Sequence, residues 1–157
     1  MGPLTATSLV SVADALRGVV RIALDTAPVI YFVEANPVFF PVCESIFRVI
    51  AGGGMTAVTS HLTLTETLPL PIRNRDMVLE NAYRTLLLSS GGIESFPVDE
   101  AVASTAAGLR ARYGLRTPDA LQVATAIEHG CQAFVTGDHG LRQVTEIRVL
   151  IIGDLTP

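Results

Sequence analysis

The strongest constraint on this chain is an alternation of short apolar segments, each of strand length, with longer stretches that carry helix signals. Val19 to Leu24 reads as a strand, mostly apolar as a strand covered on both faces must be, and it ends at Asp25-Thr26 before Pro28 opens a helical turn. A helix is predicted from Val38 to Ala51, stopped by Gly52-Gly53-Gly54, and a second strand follows around Ala57-Val58. Ser60 can cap a helix carrying Leu62, Leu64, Glu66 and Leu68, with Pro69 and Pro71 expected to end it. A helix from Asp76 to Ser89, a strand from Ile93 to Phe96 and a helix from Asp99 to Tyr113 come next. Thr117 then reads as an N-cap with Pro118 at the first helical position, and Gly130 as the stop. Ala133 to Thr136 is a further strand, Gly137 to Gly140 a loop, and Arg148 to Ile152 a final strand.

Parallel neighbours need crossover connections, and helices supply them. The expectation is an α/β fold, a three-layer α/β/α sandwich around a mainly parallel sheet of four or five strands. A length of 157 residues fits one domain, read as residues 21–157, with residues 1–20 as an extension without an assigned role.

Composition narrows the chemistry. All 11 basic residues are arginine, so the lysine of a P-loop, a Schiff-base enzyme or a receiver-type phosphoacceptor site is missing. The net charge of −4 argues against strong nonspecific binding to nucleic acid, although bound metals can supply a nuclease with positive charge. Cys43 and Cys131 lie far apart without a CxxC pattern, which suits neither a disulfide framework nor a zinc site. Charges interrupt every apolar stretch before it reaches the ~18 residues of a membrane span. Met1 to Ser8 has no basic side chain and Asp14 breaks the apolar run from Leu9 to Leu16, so no signal peptide is expected and a cytoplasmic location is.

In parallel sheets, sites form beyond the carboxyl ends of the strands. Asp25 follows the first strand, Glu66 stands on the helix leaving the second on what reads as a buried face, Asp119 begins a helix, and Asp138 lies two residues past Thr136. Singly, each acid has a structural reading: Asp25 as a cap, Asp119 as a complement to the helix dipole, Asp138 as a loop residue. Together they form a set of hard oxygen ligands suited to Mg²⁺ or Mn²⁺, ions that activate water for attack on a phosphodiester.

The segments around these acids resemble the PIN-domain family. Ile22-Ala23-Leu24-Asp25-Thr26 is similar to the family's opening motif, Thr59 to Glu66 to its second, Leu115 to Ala126 to its third, and Thr136-Gly137-Asp138 to its fourth. The third motif, with Thr117-Pro118-Asp119-Ala120-Leu121 at its centre, is the most specific. The resemblance implies a ribonuclease whose metal acids are Asp25, Glu66, Asp119 and Asp138, with Thr136 and Thr26 as polar neighbours. It further implies kinship with VapC-type toxins, which dimerise and are inhibited by a small antitoxin protein. Ala27 departs from the family pattern, in which Asn or Ser is common.

Arg116, Arg142 and Arg73 are the candidates for contacts to RNA phosphates, with a solvated helix face as the ordinary alternative. Tyr31, Phe32, Phe39, Phe40 and Phe47 have spacings that suit a core or a dimer interface better than base stacking, and a homodimer is expected there. Two other functions compete. A Mg²⁺-dependent phosphatase usually has a second aspartate two residues after the first, where this chain has Ala27, and a non-catalytic PIN-like RNA- or protein-binding domain would not need all four acids.

Overall fold

The computed structural model describes residues 8–157. Its main sheet has five strands, β2 (Arg21–Leu24), β3 (Thr56–Ser60), β4 (Ile93–Phe96), β5 (Ala133–Thr136) and β6 (Arg148–Ile151), all parallel, in the order β4-β3-β2-β5-β6. A separate parallel pair joins β1 (Val10–Ser11) to β7 (Leu155–Thr156). The helices are α1 (Val12–Ala15), α2 (Thr26–Val33), α3 (Phe40–Ala51), α4 (Leu62–Thr67), α5 (Pro69–Asn74), α6 (Met77–Ser89), α7 (Glu100–Tyr113) and α8 (Thr117–Glu128).

Strand periodicity divides the core into two layers. Ile22, Leu24, Ala57, Ala133, Val135 and Leu150 pack with α1, α2, α3 and α6, whereas Ala23, Val58 and Phe134 pack with α7 and α8. Side chains alternate across a strand, so a run such as Ala133 to Thr136 must be buried on both faces, and it is. Full burial of a large apolar side chain contributes roughly 1.5–3 kcal/mol, and Phe134, Ile22 and Leu24 each reach it. Val12, Ala15 and Leu16 of the N-terminal segment lie in the first layer, so the described part of that segment adds to the core. Residues 1–7 lie outside the described residues.

The three-layer architecture is as expected, but several local readings need correction. Pro69 and Pro71 do not stop the chain's helical course: α4 ends at Thr67 and Pro69 opens α5, where the absent N–H costs nothing. Arg116, not Thr117, is the N-cap of α8, because proline fits either of the first two helical positions and so marks the first turn rather than the cap. Residues His139–Gln143, expected to be partly loop, form a short 3-10 turn capped by the Asp138 side chain. Among the described residues no helix is long and apolar enough to cross a membrane.

Consecutive strands run outward from β2 through β3 to β4, then return to β5 and β6 on its other side. The strand order therefore reverses between β2 and β5, and the crevice at their carboxyl ends is where such a sheet opens to a ligand.

Candidate active site

Asp25 is the first residue beyond β2, and its N–H still bonds the Val135 carbonyl at 2.9 Å, which fixes it to the strand ends. Its side chain caps α2. One carboxylate oxygen accepts from the Thr26 N–H at 2.8 Å and the other from the Thr136 hydroxyl at 2.7 Å. Burial, helped by the charges of Asp119 and Glu66, pushes the Asp25 carboxyl up to about 6 against those two hydrogen bonds. Three carboxylates thus share one electrostatic neighbourhood. The completely buried Thr136, last residue of β5, also accepts from the Asp138 N–H at 3.0 Å and so joins Asp25 to the fourth acid.

The other acids sit in different surroundings. Glu66 is exposed, which corrects its sequence-based placement on a buried face: α4 is a single short helix at the rim, and only one carboxylate oxygen of Glu66 turns inward to accept from the Thr26 hydroxyl. Asp119, in the first turn of α8, has a side chain 21% exposed and receives Arg116 Nε at 3.3 Å. Asp138 is exposed and its Oδ1 accepts from the Gly140 N–H at 2.7 Å. Among the described residues, no three His, Cys, Asp or Glu side chains stand close enough together to hold a metal ion. Asp25, Glu66 and Asp119 lie near one another at this rim, and Asp138 is tied to Asp25 through Thr136.

The arginines proposed to meet phosphate divide by partner. Arg116 is bound to Asp119, Arg142 to Asp154, and Arg73 stands exposed in the last turn of α5. The early aromatics stack on one another within the α2–α3 pair: Tyr31 on Phe39 with centroids 4.9 Å apart, and Phe32 on Phe47 at 4.1 Å. They pack against the first core layer.

Sequence reasoning gave no role to Gln122 or Thr63. Gln122 is 3% exposed and Thr63 fully buried, and both lie beneath the rim. Gln122 Nε2 donates to Thr26 Oγ1 and to Thr63 Oγ1, each at 3.1 Å. The available signal was an amide three residues after Asp119, on a helix whose neighbouring positions are small and apolar. A side chain with such hydrogen-bonding demand at a buried position needs partners.

Residues 22–147 match the family model described as the PIN domain. No curated protein matches the sequence. Among solved structures, the fold is similar to the VapBC2 complex of Rickettsia felis bound to a fragment of its promoter DNA, with a TM-score of 0.68 at 14% identity over 83% of this chain and 98% of that one. It is similar to a toxin–antitoxin complex from Klebsiella pneumoniae, with a TM-score of 0.63 at 18% identity over 83% and 97%. A Mycobacterium tuberculosis toxin that cleaves the sarcin–ricin loop, VapC20, gives 0.61 at 21% identity over 81% and 98%. At these identities the likeness establishes the fold.

Proposed function

The chain belongs to the PIN-domain family, and from that premise we propose that it is a divalent-metal-dependent endoribonuclease, the toxin of a toxin–antitoxin pair. The observation that carries the reading is the gathering of Asp25, Glu66 and Asp119 at the carboxyl ends of β2 and β5, where the strand order reverses and where burial and the two neighbouring charges put pressure on the Asp25 carboxyl, pushing it up to about 6. A cation relieves that pressure. The donor set fits Mg²⁺ or Mn²⁺, since it is made of oxygens alone, and Mg²⁺ takes one or two carboxylates while keeping several of its waters, as an open rim allows.

Asp25, Glu66 and Asp119 would hold the ion, with Asp138 reaching it through water. The chemistry such an ion supplies is activation of water and neutralisation of charge on the phosphodiester. The protein's own part is orientation. Thr136 and the Thr26 N–H fix both oxygens of Asp25, and the Thr26 hydroxyl holds Glu66. Arg116 can release Asp119 at little cost, because an ion pair whose arginine is 82% exposed is worth at most about 1 kcal/mol, and can then meet an RNA phosphate. Arg142 and Arg73 serve as further phosphate contacts in a protein that works in the cytoplasm.

Purified protein should cut structured RNA in Mg²⁺ or Mn²⁺ and lose that activity in EDTA. Asp25→Asn and Asp119→Asn should each lower cleavage by about 10³-fold, the equivalent of roughly 4 kcal/mol of transition-state stabilisation. Induced expression should arrest growth with the wild type and not with either variant. Equal cleavage by all three proteins, or cleavage without metal, rejects the reading. We also take the working form to be a homodimer, because Val38 and Val78 are 70% and 83% exposed and Val78 borders a groove shared with Phe32, Val33 and Leu86. Light scattering that gives a monomer at micromolar concentration rejects that part.

A further inference from the structure

We infer that Gln122 is a positioning residue that sets the direction of a hydrogen-bond relay, Gln122 to Thr26 to Glu66, and thereby holds the Glu66 carboxylate at the metal rim. The inference rests on the nuclease reading and adds to it a residue that touches neither metal nor RNA.

The direction follows from counting protons. A threonine hydroxyl has one proton to give and two lone pairs that can accept. Gln122 Nε2 has two protons, and the two hydroxyl oxygens of Thr26 and Thr63 stand 3.1 Å from it. With its oxygen already accepting from Gln122, the Thr26 hydroxyl sends its own proton to Glu66 Oε2, a carboxylate that can only accept. The opposite amide orientation fails. An amide oxygen facing Thr26 and Thr63 would draw the Thr26 proton to itself and leave Thr26 Oγ1 and Glu66 Oε2 as two acceptors in contact. The Thr63 hydroxyl is the competing acceptor for the Thr26 proton, but at 3.5 Å it is the poorer partner.

Burial gives this small network its leverage. Gln122 is 3% exposed, Thr63 0% and Thr26 9%, so water does not replace a lost partner, while Glu66 at the end of the relay is exposed and otherwise free to swing. Asp25 is fixed by its neighbours Thr26 and Thr136. Glu66 sits on a helix of six residues and depends on the Thr26 hydroxyl for its inward orientation. The relay also spans three elements, α8, α2 and α4, so it ties the helix that carries Asp119 to the helix that carries Glu66.

The test is a double-mutant cycle with Gln122→Met, Thr26→Val and the pair. Each substitution keeps the shape of the side chain and removes its hydrogen bonds. Two quantities are read for each protein: Mn²⁺ affinity, from the electron paramagnetic resonance signal of free Mn²⁺ without RNA, and kcat and KM for RNA cleavage. Each single variant should weaken Mn²⁺ binding and lower kcat by about 10-fold, with KM unchanged, as expected for a group that supports a metal ligand. The double variant should be no worse than either single one, since both break the same relay. Additive losses, or a folded Gln122→Met protein with wild-type Mn²⁺ affinity and kcat, overturn the inference and leave the nuclease reading standing. Wild-type protein that neither takes up Mn²⁺ nor cuts RNA overturns both.

Discussion

The two ends of the parallel sheet treat charge in opposite ways. At the amino ends of the strands, Arg21 of β2 reaches across β3 to Glu94 of β4, with NH1 to Oε1 at 2.9 Å and NH2 to Oε2 at 3.4 Å, while its Nε donates to the His129 carbonyl at 2.8 Å. At the carboxyl ends, Asp25, Glu66, Asp119 and Asp138 line one rim, and the only guanidinium bound to any of these four, among the described residues, is Arg116 on Asp119. The first end is arranged as a matched pair. The second leaves like charges close together, held by hydroxyls and backbone N–H groups rather than by cations. One sheet thus separates a region settled for stability from a region held away from its own electrostatic optimum, and the contrast can be tested by removing charge from each.

The largest effect is expected at Asp25. Its folded-state carboxyl titrates at about 6, above the ordinary 3.8, so the folded protein binds a proton more tightly than the unfolded chain and ionisation of this group works against the fold. The penalty is absent below about pH 4, where the group is protonated in both states, grows as pH rises through 6, and is complete above it. Asp25→Asn should therefore lower cleavage by about 10³-fold and, in the absence of divalent metal, raise stability at pH 7.5 by on the order of 2 kcal/mol. Urea unfolding in EDTA at pH 4 and pH 7.5 checks it. A variant less stable than wild type at pH 7.5 would show that the rim is not strained by its charges.

The contrast also explains how much the sequence could disclose. The strand ends were readable because doubly buried strands leave little choice of residue: Ile22-Ala23-Leu24 and Ala133 to Thr136 can be little else, and a carboxylate just beyond such a run stands out. The first turn of α8 was readable from Pro118, but its cap was not, because proline fits more than one position there. Glu66 was placed on a buried face because it stands among Leu62, Leu64 and Leu68, but α4 is only six residues long and leaves Glu66 exposed at the rim. Gln122 was passed over for a different reason. Its role exists only when α2, α4 and α8 meet, and no local pattern reports a contact between residues separated by 96 and 59 positions.

The smallest effect is expected at the opposite end. The Arg21–Glu94 pair is partly exposed, with side chains 26% and 48% accessible, so solvent screening limits what it contributes despite its two contacts. Arginine holds the Glu94 carboxyl below its usual range, chiefly through the hydrogen bond, so the pair's contribution is present above the ordinary carboxyl value and is lost as pH falls through the lowered one. Glu94→Gln should cost about 0.5–1 kcal/mol at pH 7 and less at pH 3, the reverse of the pH trend at Asp25. RNA cleavage should be unchanged, since neither residue reaches the rim. Arg21→Met removes the bond to the His129 carbonyl as well, and should cost about 1 kcal/mol more than Glu94→Gln. Denaturant titrations of both variants at the two pH values measure these differences. A loss of cleavage in either variant at full folding would mean that the two ends are coupled through β2, and the separation of stability from function along this sheet would fail.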